Sequence, residues 1–157
     1  MTDLAKIVTI VIISHQSKKK VINLIKNFSS TINLARKNID TDYFIVFNPD
    51  LENLSDKILE KFIIFSNKVN NHFACLGPRY ENISKKTLIQ SNEKKEIDAI
   101  KSISGACMFF KKTIFDECKG FDENFFLYFE ETDYCKRAKK KGYKSYQINI
   151  IKLKHNV

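Results

Sequence analysis

The chain has 157 residues, 43% of them hydrophobic, with thirteen Phe, six Tyr and no Trp, enough for one domain with an aromatic core. Its formal charge of +9 favours anionic partners such as nucleotides, lipid head groups or nucleic acid, without choosing among them. The basic residues are scattered, in short runs at Lys18–Lys20, Lys111–Lys112 and Lys139–Lys141, and no nucleic-acid module accompanies them.

In chain order, Ile7–Ile13 is a continuous β-branched apolar run, which predicts a strand buried on both faces of a parallel sheet. Ser14-His15-Gln16-Ser17 is its polar exit. Val21, Ile25, Phe28 and Ile32 recur at helical spacing. Tyr43–Phe47 is a second buried strand that stops at Asn48-Pro49-Asp50. Leu54, Ile58, Phe62, Ile63 and Val69 predict a helix with Ser55 or Asn53 as its cap. Phe73–Leu76 reads as a short strand closed by Gly77-Pro78, and Arg79–Ser102 as a long polar loop. Gly105–Phe110 is strand-like, and Ile114–Lys119 a short helical piece. A helix from about Phe129 to Gly142 carries acids in its first turn and bases in its last, as the macrodipole favours, with Gly142 as its C′ residue and Asp133–Arg137 spaced i,i+4. Tyr143–Ile151 is a last strand, and Lys152–Val157 trails off around His155.

This alternation predicts an α/β fold with a mostly parallel sheet flanked by helices, forming a single domain over residues 1–157. Ligands of such sheets bind beyond the carboxyl ends of the strands, where Ser14–Ser17 and Asn48–Asp50 fall. Cys75, Cys107, Cys118 and Cys135 form no C-x-x-C and have no His cluster beside them. They read as ordinary buried thiols of a reducing cytoplasm rather than as a zinc site or redox motif. Lys6 followed by IVTIVII lacks a cleavage pattern, and no segment approaches the length of a membrane span.

Two segments carry chemistry. In Gly120–Gly142, Phe125, Phe126, Tyr128 and Phe129 lead straight into Glu130, Glu131 and Asp133. A carboxylate at a helix start beside bulky apolar groups is partly desolvated, which raises its pKa toward the range of a general base. Its plain alternative is a partner of the helix dipole. Asn48-Pro49-Asp50 places a carboxylate where it can hold a divalent cation completed by phosphate oxygens and water. The same tripeptide is also a good turn sequence.

In this order, the two buried strands, Asn48–Asp50, Gly105-Ala106, Gly120–Glu123 and Phe129–Asp133 resemble the family 2 glycosyltransferases, most closely the rhamnosyltransferase type. The resemblance implies a GT-A-like (Rossmann-like) fold and transfer of a sugar from a dTDP- or UDP-linked donor to a saccharide or lipid-linked acceptor, with inversion, in cell-surface polysaccharide synthesis. It implies Mg2+ or Mn2+ held by Asp50 and His155, donor contacts from Ser14, His15, Asn33, Asn48 and Asp50, and Glu131 as the base. Gly105, Ala106, Asp122 and Glu130 would lie on the acceptor side. It also implies a cytoplasmic protein with peripheral contact at the inner face of the membrane. The chain departs from the family between its first strand and Asn48, where only Lys18–Asp42 stands in place of a nucleotide-reading acidic segment. About one strand and one helix should therefore be missing. The second reading is a catalytically inactive, internally deleted relative acting as a binding module. A basic nucleic-acid-binding domain rests on charge alone.

Overall fold

Aromatic and β-branched runs set the frame. A computed structural model describes residues 7–12, 28–81, 95–125 and 128–155. Strand β1 (Val8–Ile12) lies parallel to β2 (Tyr43–Phe47), in register from Val8 opposite Tyr43 to Ile12 opposite Phe47. The next strand in the sheet is β6 (Cys107–Lys111), antiparallel to β2, followed by β4 (Phe73–Tyr80), antiparallel to β6. Strand β7 (Lys144–His155) is parallel to β4 and carries two antiparallel neighbours, β3 (Leu51–Glu52) and β5 (Ile97–Ile100). The seven-stranded sheet is flanked by α1 (Phe28–Lys37), α2 (Asp56–Lys68), α3 (Lys112–Glu117) and α4 (Glu130–Lys140).

The α/β class is as expected, but the sheet is mixed rather than mostly parallel. The reason is physical: β6 reads CMFFK and is buried on both faces, and a run buried on both faces reports its environment but not its direction. Alternation along the central strands divides the core between two layers. Phe44, Val46, Met108 and Phe110 face Ile32 of α1, Phe115 of α3 and Tyr134 of α4. Ile45, Phe47, Cys107 and Phe109 face Leu59, Phe62 and Phe65 of α2. Phe109 stacks on Phe62 and Tyr43 at centroid distances of 5.1 and 5.3 Å. Phe110 meets Phe115, Phe121 and Tyr134 edge-on. Such pairs contribute about 0.5–1.5 kcal/mol each beyond their burial.

Four local expectations are corrected. Strand β4 does not close at Gly77-Pro78 but runs through both to Tyr80. A Cβ on Gly77 would fall 2.3 Å from Ile103 Cγ2, so this glycine permits a close crossing rather than a turn. Pro78 precedes a register shift against β7, where a ladder N–H is dispensable. Within the expected loop 79–102, β5 forms because β7 gives it a partner and Asn149 binds it from the side. The Asn149 amide donates to Lys95 O (2.8 Å) and Asp98 Oδ2 (3.1 Å), and its backbone N–H donates to Glu96 O (2.8 Å). Strand β7 does not trail off at Lys152. Ile151 and Leu153 remain buried while Lys152 and Lys154 face solvent, and β3 pairs with its end. Helix α3 starts and ends earlier than the expected Ile114–Lys119. Helix α4 follows the expected limits within a residue or two, and Gly142 closes it at φ +94°. Among the described residues no helix is long and apolar enough to cross a membrane.

Candidate functional site

Strand β2 delivers Asn48 to the carboxyl end of the sheet. Its backbone N–H donates to Ala106 O (2.9 Å), and Leu51 N–H returns to Asn48 O (3.2 Å). Asn48-Pro49-Asp50 is thus a turn, and the turn also has a product: it leads into β3, whose Leu51 pairs with His155 at the end of β7. That pairing sets Asp50 Oδ2 3.1 Å from His155 Nε2, across 105 residues of sequence. Tyr80, the last residue of β4, places its ring centroid 5.9 Å from that of His155. Two side-chain oxygens in this region, Asn48 Oδ1 and Tyr80 Oη, are buried with no hydrogen-bond partner. Burial pushes the Tyr80 phenol well above its usual range, so it stays a neutral O–H. Gly105 is half-buried and Ala106 buried in the approach to β6, with Ser104 Oγ 3.4 Å from Ala106 N.

The second group of residues gathers at the start of α4. This helix runs against β4: Tyr134 Oη donates to Ala74 O (3.1 Å), and Gly142 leads into Lys144 opposite Phe73. Glu130 and Glu131, one turn before Tyr134, therefore lie further toward the carboxyl ends of β4 and β7. Glu130 is 4% exposed and its Oε2 has no hydrogen-bond partner. Burial, and to a lesser degree the neighbouring Glu131 charge, raises its carboxyl pKa, opposed by its own backbone N–H. The desolvation expected at this junction of aromatics and acids thus acts on Glu130. Glu131 is half-buried beside it. Tyr128 and Phe129, just before them, are exposed and hold left-handed backbones at φ 68° and 72°. Bulky residues rarely adopt that conformation.

A brace holds the loop that precedes these carboxylates. Arg137 Nε donates to Asp133 Oδ2 (2.6 Å), Nη2 to Gly120 O (2.7 Å) and Nη1 to Cys118 O. Asn33 of α1 grips the same loop from the other side. Its Nδ2 donates to Phe121 O (2.8 Å) and to Glu123 Oε1 (3.0 Å), while Phe121 N–H donates to its Oδ1 (3.0 Å). Asn33, expected among the donor contacts, also positions the Gly120–Glu123 loop through its amide. Asp122, expected on the acceptor side, turns Oδ1 inward to accept from Asn124 N–H (2.9 Å) and Asn124 Nδ2 (2.8 Å), an Asx turn. Ser14 and His15 lie outside the described residues. Tyr80 was missed because it falls in a stretch that reads as loop.

A divalent cation fits the Asp50–His155 pair. A carboxylate oxygen and an imidazole nitrogen are ordinary ligands for Mn2+, and Asn48 Oδ1 is a buried oxygen without a partner. Among the described residues no third His, Cys, Asp or Glu completes the set, so phosphate oxygens and water would fill the remaining positions.

No family model matches the chain. Over 136 residues it is 23% identical to the low-salt glycan biosynthesis hexosyltransferase Agl10 of Haloferax volcanii, a match covering 75% of this chain and 43% of that protein. Its fold superposes on the mannosyltransferase PcManGT from Pyrobaculum calidifontis, solved in complex with GDP-Man and Mn2+. The TM-score is 0.67 at 10% identity, over 83% of this chain and 36% of that one. The chain thus spans less than half the length of either. With its mixed seven-stranded sheet between helices, it has a GT-A-like α/β fold and is glycosyltransferase-like in both sequence and architecture.

Proposed function

We propose that the chain is a metal-dependent, inverting glycosyltransferase of the family 2, hexosyl- or rhamnosyltransferase kind that uses a nucleotide-diphosphate sugar. The observation that carries this reading is the Asp50–His155 pair, assembled at 3.1 Å by the β3–β7 ladder at the carboxyl end of the sheet. Asp50 and His155 would hold Mg2+ or Mn2+, and Asn48, Ser14 and His15 would meet the donor. When bound, the cation supplies Lewis-acid stabilisation of the departing diphosphate. Glu131 would accept the proton of the acceptor hydroxyl as its oxygen attacks the anomeric carbon in line. Glu130 is buried beside it, and burial favours the neutral form of its carboxyl. Gly105 and Ala106 shape the floor on the acceptor side. The donor would be UDP-, dTDP- or GDP-linked, and the acceptor a glycan or lipid-linked sugar met at the cytoplasmic membrane face.

One observation favours a second reading, a relative that binds without catalysing. Asn33, which the resemblance assigns to the donor, is committed to the Gly120–Glu123 loop. Calorimetric titration with UDP, dTDP and GDP in the presence of Mn2+ tests the proposal. Binding of at least one, weakened about tenfold or more (roughly 1.4 kcal/mol) in Asp50→Ala, is the expected result. Absence of binding by all three at millimolar concentration would overturn it. Binding without release of sugar from any donor would establish the second reading.

A further inference from the structure

Sequence spacing gives the four cysteines no redox motif, yet the fold sets two of them side by side. Cys75 of β4 and Cys135 of α4 are both buried, with their sulfurs 3.6 Å apart. Cys135 also lines a cavity of about 490 Å³ at the end of the sheet opposite Asp50. Its other walls include Ser145, Tyr143, Lys101, Lys139 and Lys144. The three lysines are exposed at its edge and draw anionic or polar reagents. The two thiols are not equivalent. A hydrogen bond links the two sulfurs and lowers the Cys135 thiol below its ordinary value, against the opposing effects of burial and the Glu131 charge, with hydrogen bonds to Ser145 and the Ile103 backbone acting in the same direction. Burial holds Cys75 protonated. Cys107 and Cys118 have no such arrangement, and burial raises both.

We propose that Cys135 and Cys75 form a thiol–disulfide site, with Cys135 the nucleophile that meets a hydroperoxide in the cavity and Cys75 the resolving thiol. In the first step the Cys135 thiolate attacks one peroxide oxygen. The O–O bond breaks, Cys135 becomes a sulfenic acid, and the other oxygen leaves as hydroxide, which takes up a proton to become water. In the second step the Cys75 sulfur attacks the sulfenic sulfur, an S–S bond forms, and the sulfenic oxygen leaves as water with the Cys75 proton. Two thiols are oxidised and one peroxide is reduced to two waters. The sulfurs close from 3.6 Å to about 2.05 Å. The product fastens α4, which carries Glu130 and Glu131 at its start, to β4 in the middle of the sheet. Cys135 is 1% exposed, so a peroxide of nearly water size should reach it well before a bulky thiol reagent does.

The test uses hydrogen peroxide on the reduced full chain, followed by intact-mass measurement and non-reducing peptide mapping. The expected result is a monomer lighter by two hydrogens, a single cross-linked peptide pair containing Cys75 and Cys135, and full reversal by dithiothreitol. Cys75→Ser should instead accumulate a Cys135 sulfenic acid that dimedone traps, and Cys135→Ser should lose both products. Cross-links mapped to Cys107 or Cys118, disulfides between chains only, or a dimedone adduct on Cys75 in the wild type would overturn the assignment. The wild-type map decides the matter even where a serine variant fails to fold. Its outcome is independent of nucleotide binding.

Discussion

Asn33→Ala should destabilise the protein by about 2–4 kcal/mol, because one side-chain amide holds both backbone groups of Phe121. Phe121 is 2% exposed, so water cannot readily replace the lost partners. Losing such a bond costs about 1 kcal/mol net, and about 1–3 kcal/mol where the group left behind is buried. Two such bonds are lost, and a third to Glu123 lies at the surface and adds little. At about 2–4 °C per kcal/mol for a chain of this size, the melting temperature should fall by roughly 5–15 °C. Gly120 sharpens the test. A Cβ there would stand 2.4 Å from Asn33 Oδ1, on a backbone at φ +60°. Gly120→Ala should therefore be costly alone and less costly in an Asn33→Ala background, where the tightest contact is gone and a backbone strain of about 1–3 kcal/mol remains beside the 3.2 Å approach to Phe115 Cε1. Denaturant unfolding of the four proteins of this cycle gives the coupling. An Asn33→Ala cost below about 0.5 kcal/mol, or strictly additive costs, would refute the reasoning.

The remaining predictions concern packing and charge. Gly77→Ala should lose about 1–3 kcal/mol from overpacking against Ile103, and Ile103→Ala should recover part of that loss; thermal melts of the single and double variants show whether it does. Glu130→Gln should raise the melting temperature at pH 7. The folded carboxyl binds its proton more tightly than the unfolded one, whose ordinary value is 4.5. Wild-type stability must therefore fall as pH rises from 4.5 through the raised folded value, and stay lower above it. The advantage of Glu130→Gln should vanish below pH 4.5, and a variant less stable than wild type at pH 7 would contradict the assignment.

How much of this was legible in the sequence depends on what each signal reports. Tyr43–Phe47 emerged with its true limits because a short apolar run between polar turns is a local signal. Strands β3 and β5 did not, since Leu51–Glu52 and Ile97–Ile100 are short, carry Glu52 and Asp98, and exist through pairing with β7. Gly77-Pro78 read as a stop because the turn meaning of that pair is the common one; only Ile103, from a distant segment, gives Gly77 its role. Asp50 and His155 could be picked out singly, but their meeting depends on the pairing of β3 with the far end of β7. The same holds for Cys75 and Cys135, whose apposition follows from α4 crossing β4. The sequence does not show that Asn33 braces the Gly120–Glu123 loop, because that depends on where its amide points.

The central claim is that Asp50 and His155 hold a metal against a nucleotide diphosphate. Paramagnetic broadening of histidine ring signals by Mn2+, with and without GDP or UDP, tests it most directly. His72 serves as the internal control: it packs against Tyr143, ring centroids 4.5 Å apart, at the opposite end of β4 and about 25 Å from His155. The account predicts that nucleotide and Mn2+ together broaden His155 beyond detection, leave His72 sharp, and lose that selectivity in Asp50→Ala. Equal broadening of His72 and His155, or none at His155, would contradict it.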